Sequence, residues 1–233
     1  MHIKVPALAA ASLLLAVGVV APANAAVSDA EVLAARDSAV TRAEAASLGV
    51  KADVSTFTVT DVRTTKGARG DVADIWLCDR PDGSNLSVPG SKVQFSTSHT
   101  QEVKNVLRGV EQTTYQYSSA KKASAAYKAL VAAAKKCTGN NSDAVDGGAS
   151  FTTTVSNGTS KVADGDTVVW VLTVGSTGTD GKSFTSHDYG TYHLDGDVIV
   201  AIELDLDGPG AQPFTTEQRK KANELVCDSV HRA

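Results

Sequence analysis

Two periods of apolar and polar positions divide the chain into helical and extended stretches. Between residues 119 and 136, Ala123, Ala126, Tyr127, Leu130, Val131 and Ala134 recur at three- and four-residue spacing, the signature of a helix with one apolar stripe. Ser119 stands where the N-cap belongs, Lys135 and Lys136 suit the negative end of the helix dipole, and Gly139 fits a left-handed closing position. A second helical pattern lies near the end of the sequence. There Thr215 and Gln218 have capping-box spacing, and Ala222, Leu225, Val226 and Val230 share one face. Residues 26–47 are alanine-rich, with Ser28 and Glu31 as a further capping box, but Val27, Val32, Leu33 and Val40 are the only large apolar side chains there. So thin a stripe predicts a loosely docked helical arm over residues 26–49.

Elsewhere the period is two. Residues 53–65 alternate and are rich in β-branched side chains, and 71–78 (DVADIWLC), 92–98, 150–158, 166–175, 183–194 and 197–207 read as further strands. Residues 66–70 (KGARG), 79–91 (DRPDGSNLSVPGS) and 176–182 (STGTDGK) carry turn dipeptides and read as connections. Residues 102–117 (EVKNVLRGVEQTTYQY) read as one strand whose apolar parity switches near Gly109, which predicts a bulge there. Val168, Trp170, Leu172 and Val174 face one way and Val169 and Val171 the other, so that strand is buried on both faces. Such runs of strands with a few helices define an α+β fold, an antiparallel, meander-rich sheet flanked by helices.

The stretch TSHDYGTYHLDGD, residues 185–197, holds the densest polar chemistry. On a strand, His187, Tyr189, Thr191 and His193 share one face, and Asp188, Gly190, Tyr192 and Leu194 the other. On the returning strand Val198, Val200, Ile202, Leu204 and Leu206 oppose Ile199, Ala201, Glu203, Asp205 and Asp207. The loop around Asp195-Gly196 decides which faces coincide, because a one-residue slip turns every side chain over. A two- or four-residue loop puts the histidines on the apolar face. A three-residue loop puts them beside the carboxylates, with Tyr192 opposite Val198 or Val200, and that aromatic–aliphatic pairing favours it. In either register His187 and His193 lie about 20 Å apart along the strand, too far to share one ion. A metal needs three or four converging ligands. ELDLDG (203–208) fails as a calcium loop, with Phe214 where a glutamate is required. No metal and no cofactor is expected.

The ends and the composition set the compartment. Lys4 precedes an apolar run from Leu8 to Val20, and Ala23-Asn24-Ala25 gives the small-x-small pattern of a signal peptide cleaved after Ala25. The run falls short of the ~20 residues that a spanning helix needs. A secreted protein with no membrane span after cleavage is therefore expected, with residues 50–233 as one domain. With Lys4 removed, 21 basic residues face 26 acidic ones, a formal charge of −5. No segment is strongly basic or interleaves aromatics with arginines, which argues against nucleic-acid binding.

Cys78, Cys137 and Cys227 enter an oxidising compartment. An odd count leaves one bridge and one thiol, with three pairings open and no zinc-type spacing. A secreted hydrolase built on His187 and Asp188, or a thiol enzyme using Cys227 with His231 four residues on, is the catalytic alternative. The sequence has no G-x-S-x-G.

The order of features is a leader, a WLC cysteine ending a strand, a strand ending in TTYQYSS, the helix AKKASAAYKALVAAAKKC, then β-rich sequence. It resembles the secreted PknH-like extracellular (sensor-type) domains of actinobacteria, over roughly residues 50–207. The resemblance implies a sheet–helix cleft for a small ligand, sensing rather than catalysis, and a Cys78–Cys137 bridge that leaves Cys227 as the thiol. It expects a secreted, non-catalytic ligand-binding or sensor-like domain with its cleft beside the helix at 119–136. Tyr115, Tyr117, Tyr189, Tyr192 and His193 are the candidate liners. The expected partner is a small-molecule or cell-envelope ligand. The chain is expected to be a monomer, with Cys227 as the route to a linked dimer, and a cell-envelope interaction protein is the third class.

Overall fold

In the computed structural model, which describes residues 26–61, 75–79, 85–88, 90–91, 93–145, 149–162, 165–179 and 182–232, the alternating stretches form ten strands and the periodic ones four helices. In chain order these are α1 (Asp29–Ser38), α2 (Arg42–Ser47), β1 (Val54–Asp61), β2 (Ile75–Asp79), β3 (Asn85–Val88), β4 (Val93–Val103) and β5 (Val106–Gln116). There follow α3 (Ala120–Ala134), β6 (Gly139–Val145), β7 (Ala149–Lys161), β8 (Thr167–Thr179), β9 (Lys182–Asp195), β10 (Val198–Pro209) and α4 (Thr216–Arg232). Eight strands form one antiparallel sheet in the order β1-β4-β5-β10-β9-β8-β7-β6, and β2 and β3 form a separate hairpin. This is the expected α+β class, with β6 to β10 as the meander. The expected signal peptide (1–25) and the KGARG turn lie outside the described residues.

Different elements cover the two faces of the sheet. On one, Val110, Val168, Tyr189, Val200, Ile202 and Leu204 pack against Ala222, Leu225 and Val226 of α4. On the other, Tyr115, Val169, Val171, Tyr192, Ile199 and Ala201 pack against Leu130, Ala133 and Ala134 of α3 and Ile75 and Leu77 of β2. Val168 and Val169 thus enter opposite cores, as the doubly apolar pattern of that strand requires. Burying one such aliphatic side chain stabilises the fold by about 1.5–3 kcal/mol. A Cys78–Cys137 disulfide, spanning 59 residues, ties β2 to the chain just beyond α3. Cys227 stays outside it, buried on α4.

Three expectations give way. The N-terminal segment is not loosely docked: it breaks at Ala39–Thr41 into α1 and α2, each with a capping box, and Val40, Ala45 and Leu48 enter the core of the α4 face. Gln112 Oε1 accepts from the Val40 backbone at 2.8 Å, and His99 Nε2 lies 2.7 Å from the Val40 carbonyl, so buried polar groups lock the break. Residues 102–117 are not one bulged strand either. Lys104 and Asn105 both take positive φ, 53° and 63°, and turn the chain from β4 into β5. That is the backbone of a type I′ hairpin turn, here without the glycine that usually announces it. β3 occupies part of the segment read as a loop, and β6 adds an edge strand directly after α3 that carries no alternating pattern.

Candidate functional site

The hairpin between β9 and β10 decides the chemistry of both faces. Asp195 pairs with Val198, leaving Gly196 and Asp197 as a two-residue turn, with Gly196 at φ 54°. The register is therefore not the favoured three-residue one. Positive φ at the first of the two turn residues is what a type II′ turn demands, and glycine supplies it without strain. His193 pairs with Val200, Tyr189 with Leu204 and His187 with Leu206, so the histidines join the apolar face beneath α4. Tyr192 lies opposite Ala201, not Val198 or Val200.

The opposite face then collects carboxylates. Glu203 pairs with Glu111 on β5 and Gly190 on β9; in the next row Asp205 pairs with Gly109 and Asp188, and Asp188 pairs with Thr173 on β8. Like charges directly across a ladder are destabilising, and here two such pairs adjoin. A cavity of about 250 Å³ opens over them, lined by Asp188, Glu203, Asp205, Thr173, Val171 and Tyr192 and roofed by Trp76 and Leu77 of β2. Tyr192 Oη donates to the Trp76 carbonyl at 3.2 Å and so holds the roof to the sheet. Gly190 and Gly109 keep the floor open. A Cβ at 190 would lie 2.7 Å from Tyr192 Oη, and one at 109 would lie 3.0 Å from Asp205 Oδ2.

Crowding and burial make these acids hold their protons more tightly. Burial, then the charges of Asp205, Glu111 and Asp188, pushes Glu203 up to about 8. Burial with Asp205 and Asp207 pushes Asp188 up to about 7, against the opposing hydrogen bond donated by Ser186 Oγ to Asp188 Oδ2 at 3.2 Å. Asp205 rises to about 6 through burial and its neighbours Asp207 and Glu111. No lysine, arginine or histidine pairs with these three carboxylates among the described residues. Buried titratable groups with displaced pKa values, gathered in one cavity, mark a functional site more often than a structural one. At neutral pH the cluster offers both carboxylates and protonated carboxyls to whatever enters.

The five residues read as cleft liners do not converge. Tyr115 and Tyr192 are on the carboxylate face and Tyr117 packs beside them, and all three pack in the core with Leu130, Ala133 and Ala134 of α3. Of the five, Tyr192 reaches the cavity with its ring; its hydroxyl is pushed well up by burial and by Glu203. Tyr189 and His193 turn to the α4 face. Tyr189 Oη donates to Asn223 Oδ1 at 2.9 Å and the ring borders a wider groove of about 640 Å³ with Trp170 and Arg219. His193 Nε2 lies 3.5 Å from Asp166 Oδ2, and burial lowers its pKa. His187 and Asp188 point to opposite faces, and both ring nitrogens of His187 are buried without a hydrogen-bond partner, so the two do not form an acid–base pair. The sequence reading weighed Asp188 as a partner of His187 and Glu203 and Asp205 as part of a failed calcium loop, and did not bring the three acids together. Their signal was acids alternating with an apolar series, next to strand glycines, on the inward parity of a central strand.

No family model and no curated protein matches this chain. Among solved structures, the extracellular domain of PknH from Mycobacterium tuberculosis is similar with a TM-score of 0.49 at 10% sequence identity, covering 84% of this chain and 93% of that one. No helix among the described residues is long and apolar enough to cross a membrane.

Proposed function

We propose that this chain is an extracytoplasmic, non-catalytic ligand-binding module of the sensor type, and that its ligand is a small polar molecule carrying an ammonium group. The observation that carries this reading is the cavity over Asp188, Glu203 and Asp205, three partly buried acids with no basic partner among the described residues. An ammonium ion entering there supplies the missing counter-charge, and the low local dielectric strengthens each charge-assisted hydrogen bond. Ser96, Ser98 and Thr113 lie on the same face and extend a hydroxyl-lined floor beyond the acids. The leader-like N-terminus and the disulfide support an oxidising compartment outside the cytoplasm.

Calorimetric titration with ethanolamine and 1,4-diaminobutane, with a neutral sugar as control, tests the reading. Saturable binding by the amines is expected, tighter at pH 8.5 than at pH 6 because the acids must ionise to receive the cation. Glu203→Gln combined with Asp188→Asn should abolish it. Absence of binding by either amine at both pH values, or equal binding by the double variant, overturns the proposal.

A further inference from the structure

The face opposite the carboxylate cavity carries a second constellation. His193 stands near the end of β9. Asp166 lies in the turn between β7 and β8, where the Asp166 carbonyl accepts from the Val162 amide at 3.0 Å. Cys227 and His231 are four residues apart on α4, hence on one helix face. His193 Nε2 is 3.5 Å and His231 Nε2 3.7 Å from the same oxygen, Asp166 Oδ2. The two imidazoles meet edge to face, 6.5 Å between centroids at 88°. The donor atoms of Asp166, His193 and Cys227 all lie within 4.8 Å of one another.

We infer that Asp166, His193, Cys227 and His231 form a binding site for a zinc-class divalent cation. Around a tetrahedral zinc ion, neighbouring nitrogen, oxygen and sulfur ligands stand about 3.3–3.8 Å apart. The two imidazole–carboxylate distances already fall in that interval; the Cys227 thiol lies within 4.8 Å of Asp166 and His193, and His231, which stands outside that trio, must turn toward it to become the fourth ligand. Those same distances exceed the about 2.7–3.2 Å of a hydrogen bond, so direct pairing leaves the groups short of one another while a shared cation does not. His193 is 8% exposed and its Nδ1 is buried with no hydrogen-bond partner, a cost that a satisfied core histidine would not carry. The donor set selects the ion. Two imidazoles, one thiolate and one carboxylate suit borderline zinc, whereas calcium and magnesium demand oxygen throughout.

A Cys–His–Asp catalytic arrangement is the competing use of the same atoms. Cys227 is 3% exposed and lines none of the four cavities described, a setting that suits an enclosed metal ligand better than an attacking thiolate. A metal ion can: Asp166 and His231 keep 36% and 48% of their side-chain surface and form an open rim. Binding releases the thiol proton to solvent and changes no oxidation state. The cation would join α4, β9 and the β7–β8 turn on the face that the disulfide does not reach, and would shield a thiol from oxidation outside the cytoplasm. The inference departs from the expectation of no metal: His187 and His193 do not share an ion, but His193 meets candidate ligands from two other segments.

Untagged protein titrated with cobalt(II) provides the test. The expected result is one equivalent bound with intense tetrahedral visible absorption and an ultraviolet thiolate-to-cobalt charge-transfer band, both displaced by zinc. Cys227→Ser should lose the charge-transfer band. His231→Ala, at the exposed end of α4, should keep the circular dichroism spectrum and weaken binding by roughly tenfold or more. A weak octahedral cobalt spectrum without the charge-transfer band overturns the inference. So does unchanged cobalt affinity in the Cys227→Ser, His231→Ala double variant.

Discussion

Gly190 shows how one missing side chain sets the local design. Its place opposite Glu203 and beside Tyr192 leaves no room for a Cβ, which would lie 2.7 Å from the phenol oxygen that holds Trp76. Gly190→Ala is expected to push that phenol aside and cost about 1–3 kcal/mol, the usual range for overpacking. Urea unfolding measures the loss, and the Trp76 fluorescence should shift as the roof loosens. Gly109→Ala should cost less, because the atom it meets is the end of the Asp205 side chain, which can rotate away. At this scale the sequence was informative about which residues share a face, since strand parity is local: His187 with His193, and Asp188 with Tyr192, stand as read. It was silent about which face is inside. Histidine and tyrosine suit either environment, so His187, Tyr189 and His193 could be buried under α4 without breaking any sequence rule.

The elements were legible where their ends carry chemistry. The capping boxes Ser28–Glu31 and Thr215–Gln218 form with their reciprocal hydrogen bonds, and Ser119 caps α3. The failures sit at turns. Lys104-Asn105 reverses the chain without glycine, and the Asp195–Val198 turn has one residue fewer than favoured, which turned the whole of β9 over relative to β10. Register is a property of two strands and the loop between them, so a pairing argument from Tyr192 alone could not settle it. The β2–β3 hairpin depends on something outside itself, since a two-stranded ribbon is marginal alone. It is held by the packing of Ile75 and Leu77, by Tyr192 and by the bridge to Cys137. Replacing both Cys78 and Cys137 by serine is expected to cost about 4 kcal/mol, the entropy of a loop of this length. The midpoint of urea unfolding reads this, and amide exchange in β2 should accelerate well before exchange in β10.

At the scale of the whole molecule, one sheet separates two kinds of interior: a histidine-bearing apolar core under α4, and a carboxylate cavity beside α3 and the hairpin. The cavity makes folding stability depend on pH in an unusual direction. Acids whose folded pKa is raised bind protons more tightly when folded, so their contribution is complete below the unfolded value and is lost as pH climbs through the folded one. Asp205, Asp188 and Glu203 rise to about 6, 7 and 8, which places the loss between about pH 4, where the unfolded acids ionise, and about pH 9. His193, lowered by burial, works the other way below its ordinary value and is neutral in both states above pH 7. The alkaline limb therefore belongs to the acids. Between pH 7 and 9 the protein is expected to lose about 1–2 kcal/mol through Glu203, with a slope of about half a proton's worth per pH unit at pH 8. Glu203→Gln keeps the shape and hydrogen-bonding capacity of the protonated acid but cannot ionise. Its urea unfolding free energy should match the parent only below about pH 4, exceed it increasingly as pH climbs toward 8, and show a flatter slope over that range. Parallel curves for the two proteins would mean that Glu203 is ionised and stably paired across this range, and the cavity would then offer no vacancy for a cation.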